Sequence, residues 1–123
     1  MPPRRRTDPA AGRAAVAAWA QGTASRADVT TAVRFALEEL ADVAPGNTVE
    51  VRVPPAGAVQ AVPGPRHTRG TPPNVVETDP ETWLALVTGR SSWLDAVAAG
   101  RVHASGERSD LSPYLPLQAM RAR

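Results

Sequence analysis

Cysteine, lysine and isoleucine are absent from the 123 residues, and Phe and Tyr occur once each. Without Cys there can be no disulfide, thiolate zinc site or thiol nucleophile, and the composition suits a reducing cytoplasm. Without Lys there is neither a Walker-type phosphate loop nor Schiff-base chemistry. The longest clean apolar run, Ala14 to Ala20, is far short of the ~20 residues that cross a bilayer, so no transmembrane segment is expected. That run is too weakly hydrophobic, and its approach too interrupted by Asp8, Pro9 and Arg13, for a signal peptide.

The pI of about 10.4 suggests a nucleic-acid partner until the charge is located. Arg4, Arg5, Arg6, Arg121 and Arg123 sit at the two ends, and between them 9 Arg face 12 acidic residues, a body charge of −3. A basic end is ordinarily solvated, and so few rings give little to stack bases on, so no specific nucleic-acid partner is expected. The length fits one domain, placed at residues 8–118 between a disordered basic N-terminal tail, 1–7, and a C-terminal tail, 119–123.

Asp8 followed by Pro9 reads as a helix start, and Gly22 as its end. Ala15, Val16, Trp19 and Ala20 then share one stripe. A second helix starts at Ser25 with Asp28 three residues on. Val29, Val33, Ala36, Leu37, Leu40 and Ala44 keep the 3.6-residue period until Pro45 and Gly46 stop it. The period then drops to two: Val49, Val51 and Val53 alternate with Glu50 and Arg52 in a strand. After Pro54, Pro55 and Gly57, residues 58–62 read as its antiparallel partner, with either Val59 and Ala61 or Ala58 and Val62 inward. A Pro, Gly and Arg loop, 64–73, leads to a short strand at Val75 and Val76. A third helix starts at Asp79 and Pro80, carries Trp83, Leu84 and Val87 on its buried side, and is capped by Gly89. Ser92 and Asp95 form a capping box for a short fourth helix with Trp93, Ala96 and Val97 inward. A last strand holds Val102 and Ala104, and an apolar segment broken by Pro113 and Pro116 carries Leu111, Tyr114, Leu115, Leu117 and Met120. This predicts an α+β fold: a small antiparallel meander and a return strand, mostly antiparallel, with the helices on one face.

The run Thr78 to Gly106 resembles the C-terminal signature of the sterol carrier protein type-2 family: Thr88, Gly89 and Arg90 match its corner, and Gly100, Arg101 and Val102 the start of its following strand. The resemblance is closest to the actinobacterial branch, where Arg66 to Asp79 also recurs. It extends to the C-terminal domain of mycothiol-dependent maleylpyruvate isomerase-like proteins, whose metal-binding helical domain has no counterpart in these residues. It implies non-catalytic binding or transfer of a sterol, fatty acid or other lipid in an apolar pocket between sheet and helices. On this fold the pocket walls would be Val51, Val59 and Val102 from the strands and Trp83, Leu84, Val87, Trp93 and Val97 from the helices, closed by Leu115 and Met120. Arg66, His67 and Arg69 form the one polar cluster outside the ends and would receive an anionic headgroup.

With 23 Ala in the chain, no Ile and few aromatics, the helix faces are lined with small side chains, so sheet and helices either close up or leave a gap. An empty gap of ~300 Å³ costs roughly 7 kcal/mol, so a tunnel would stay open only when filled. Collapse of the gap would leave a non-catalytic interaction or dimerisation domain, with a second copy of the chain as partner.

Catalysis is not expected. There is no GxSxG elbow, Ser and Thr sit at caps and turns, and Glu38 and Glu39 point about 100° apart on one helix. The two His, 67 and 103, lack metal-ligand spacing, so neither metal nor cofactor is expected.

Overall fold

A computed structural model of the chain describes residues 6–65 and 73–120. The loop bearing Arg66, His67 and Arg69 lies outside the described residues.

Four helices form where caps and apolar period coincide. α1, Pro9–Gln21, begins at Asp8, whose carboxylate accepts from the Ala11 N–H, and ends at Gly22 with φ 78°. α2, Arg26–Val43, opens on a reciprocal box: Ser25 Oγ accepts from Asp28 N–H and the Asp28 carboxylate accepts from Ser25 N–H. α3, Pro80–Thr88, is capped by Asp79 and closed by left-handed Gly89. At α4, Trp93–Ala98, the hydrogen bond runs from Asp95 N–H to Ser92 Oγ. These caps each contribute about 1 kcal/mol.

Four strands follow the two-residue period: β1, Val49–Val53; β2, Gly57–Ala61; β3, Asn74–Thr78; β4, Val102–Ser105. Their order is β2-β1-β3-β4, which corrects the expected meander. β3 does not continue from β2; it pairs in parallel with β1, Val76 opposite Val51. The parallel pair β1 and β3 is joined through β2, and the twelve residues 62–73 are long enough to span the two strand spacings from the end of β2 to the start of β3, whereas a meander would have used a tight turn. The other two pairings are antiparallel.

Register also decides which face of β2 points inward. Opposed residues share a face, and Val51 opposes Val59 while Val49 opposes Ala61, so Val59 and Ala61 look to the core and Ala58 and Gln60 to water. Val62 follows at φ 76°, a conformation unusual for a β-branched residue. It is held there as its N–H donates to the Ala44 carbonyl and its own carbonyl accepts from Thr48.

The helices cover one face of the sheet. Glu50, Arg52, Glu77 and His103 lie on the other, where Arg52 bonds Glu50 at 2.7 Å. α2 runs over β2 and against α3, and α1 packs along α2. The packed chain reaches past the expected limits of 8 and 118. Thr7 donates through N–H and Oγ1 to the Glu38 carboxylate, Arg6 pairs with Asp42 at 2.7 Å, and Met120 is buried.

No helix is long and apolar enough to cross a membrane among the described residues.

Candidate functional site

Between sheet and helices the interior is solid where a tunnel was expected. Val49, Val51, Val53, Leu40, Trp83, Leu84 and Val87 are each 0% exposed, so no void that admits a water touches them. Four predicted wall residues, Val51, Trp83, Leu84 and Val87, are therefore core in this structure. The physical reason is the cost of an empty gap: small side chains such as Ala32 and Ala36 on α2, both fully buried, let the core close up. Trp83 has one oddity: its buried indole N–H finds no hydrogen-bond partner among the described residues.

The remaining predicted residues are dispersed. Val59 lines a cleft of about 520 Å³ between α2 and the free edge of β2, with Leu37 and Ala56 on its floor and Arg34, Glu38 and Asp42 around it. Both signs of charge meet there, and the hydrogen bond from Arg6 to Asp42 pushes the Arg6 pKa further up. Val97 and Val102 border a shallow depression along the edge of β4. Val97 is 39% exposed, correcting its expected inward direction: α4 is too short to bury more than Ala96 fully. Trp93 and Leu115 are half-buried against the core. Met120 lies in a third place.

That third place is a mainly apolar recess. A groove of about 240 Å³ runs between α1, the end of α3 and the last turn, 118–120. Val16, Ala17 and Ala20 of α1 form one wall, Ala119 and Met120 the other, and Thr88 the floor, with Arg13 and Arg90 at the rim. Arg13, Val16, Ala17 and Ala20 stand three, four and seven residues apart, one face of a helix.

Four contacts hold the groove in shape. Leu117 N–H donates to the Val87 carbonyl at 3.0 Å, which brings the C-terminal segment to α3. The Trp19 indole N–H donates to the Glu81 carboxylate, tying α1 to α3. Arg90 lies over the Trp19 ring, 4.8 Å from its centroid, and donates to the Ala20 carbonyl at 2.6 Å. Thr88 Oγ1 donates back to the Leu84 carbonyl at 2.7 Å, so its donor is used within α3.

Sequence reasoning missed this groove, Met120 apart. The face of α1 was legible, but Arg13 and Arg90 are 77 positions apart and nothing local says that they meet.

Elsewhere, no three His, Asp or Glu side chains converge as a metal site would need, among the described residues. The pKa of the Asp79 carboxyl is lowered. Its partial burial alone would raise the value, but hydrogen bonds from Thr82 N–H and Oγ1, with the nearby N–H groups of Asp79 and Glu81, outweigh that and lower it. This is the chemistry of a helix cap, not of a catalytic acid.

An open, mostly antiparallel four-stranded sheet roofed on one face by helices is the architecture of sterol-carrier-like domains. Residues 25–117 match the family described as bacterial SCP ortholog, SCP being sterol carrier protein, and the chain belongs to that family. The match spans 93 of 123 residues. No curated protein matches the chain. α1 and the last turn lie outside the matched stretch, and with them six of the eight residues lining the groove.

Proposed function

We propose that the protein binds a hydrophobic small molecule without transforming it, and that the groove between α1, α3 and the last turn is the seat. The observation that carries this reading is the groove itself, walled by Val16, Ala17, Ala20, Ala119 and Met120 in a chain that belongs to a sterol-carrier family. About eight buried methylene-sized groups would contribute on the order of 6 kcal/mol before the costs of ordering, which leaves a micromolar-to-millimolar ligand. A non-enzymatic role fits side chains whose hydrogen bonds are absorbed by caps and turns. The cysteine-free composition fits a cytoplasmic location.

Displacement of the neutral probe N-phenyl-1-naphthylamine by alkanols tests this, together with native mass spectrometry for a co-purifying ligand. Ala17→Trp, at an exposed position, plugs the groove and is expected to abolish probe binding while leaving the unfolding midpoint in place. Probe binding undiminished in Ala17→Trp would move the seat elsewhere; an absence of any binding would remove the reading.

A second reading rests on a different observation. Leu94 is 75% exposed and Val97 39%, three residues apart on α4, and Val97 borders the edge strand β4. An open edge next to apolar side chains is a pairing surface. Self-pairing of β4 would give a homodimer, which light scattering would detect and Leu94→Lys would dissociate.

A further inference from the structure

We infer that the ligand of the α1–α3 groove is a single short chain carrying an anionic head, held between Arg13 and Arg90; this rests on the binding reading above. The lining has two guanidinium groups and no carboxylate. Among the described residues neither Arg13 nor Arg90 forms an ion pair, whereas Arg6 and Arg52 each do. Arg90 is oriented by the Trp19 ring and by one hydrogen bond to the Ala20 carbonyl, which leaves further N–H groups of its planar fork for an anion. Arg13 stands on the same face of α1 as Val16, Ala17 and Ala20. A chain lying on those residues therefore has its head within the reach of a guanidinium.

Size sets the other half of the ligand. At roughly 30 Å³ for each water-sized group, 240 Å³ holds about eight. That accommodates a chain of roughly eight to ten carbons. The residues that define these limits mostly lie outside the stretch shared with the family, so the selectivity belongs to this chain's own α1 and last turn. Carboxylate and phosphate heads satisfy the same pair of guanidiniums; comparison of the two names the source.

The test is calorimetric titration of the full chain with decanoate, decyl phosphate and decanol, with Trp fluorescence as a second readout because Trp19 touches Arg90. At least tenfold tighter binding of decanoate or decyl phosphate than of decanol is expected. Arg13→Gln should lower the affinity for the two anions at least fivefold more than that for decanol, and leave the unfolding midpoint in place. Affinity should rise with chain length up to about ten carbons and then level off. Equal affinity for decanoate, decyl phosphate and decanol, with Arg13→Gln silent, overturns the anionic head while the binding reading stands. Failure of all three ligands together with the neutral probe overturns both. Because Arg90 also anchors Trp19, Arg90→Gln is read only alongside Arg13→Gln, and a loss confined to Arg90→Gln counts against the clamp.

Discussion

Gly12 of α1 sits directly on the ring of Phe35 in α2, so closely that a Cβ at position 12 would overlap the ring carbons. α1 therefore docks through the absence of a side chain. At an open helix position Gly→Ala gains about 0.5–1 kcal/mol. Here Gly12→Ala is expected to lose stability, by about 1–3 kcal/mol through overpacking, in urea denaturation. A stabilised Gly12→Ala would mean that α1 does not press on Phe35.

Trp83 is fully buried and its N–H has no partner among the described residues. Trp83→Ala should cost about 3–5 kcal/mol as a cavity. Trp83→Phe removes the orphan donor, whose burial alone costs about 1–3 kcal/mol, and is expected to destabilise by less than about 1.5 kcal/mol despite the smaller ring. A loss near that of Trp83→Ala would mean that the indole N–H has a partner.

Leu84 and Leu94 are ten positions apart and opposite in environment, 0% against 75% exposed. Leu84→Ala should cost about 2–5 kcal/mol. Leu94→Lys should stay within about ±0.5 kcal/mol at dilute concentration. Chemical denaturation of both variants tests the direction assigned to each helix.

The Asp79 carboxylate has a folded-state pKa below its unfolded value. Its contribution is accordingly present above the unfolded pKa of about 4 and lost as pH falls through the folded pKa. Asp79→Ala should cost about 1 kcal/mol at pH 7. The gap between wild type and variant should be constant from pH 7 to 5 and shrink towards pH 3. A gap that widens with acid would reverse the assigned sign.

Much of the fold was legible because its signals are local. Asp8, Ser25, Asp79 and Ser92 announce helix starts by side chains that reach only three residues ahead. Val49, Val51 and Val53 announce a strand by alternation. The parallel pairing of β3 with β1 was not legible, since Val76 carries no mark that distinguishes Val51 from Val59 as its neighbour. The closed interior was illegible for a related reason. Trp83, Leu84 and Val87 were correctly read as facing inward, but a residue facing inward lines a pocket only if its surroundings fail to close, and here they closed.

The sequence by itself determined the helices, the strands and the direction of most faces, because caps and hydrophobic period act over one or two turns of chain. Only the tertiary structure decided that the interior under the helices is solid, that β1 rather than β2 neighbours β3, and that Arg13 and Arg90 stand at one rim. Those outcomes depend on how closely alanine-rich surfaces approach and on contacts between distant segments, and neither quantity is written in any local stretch of residues.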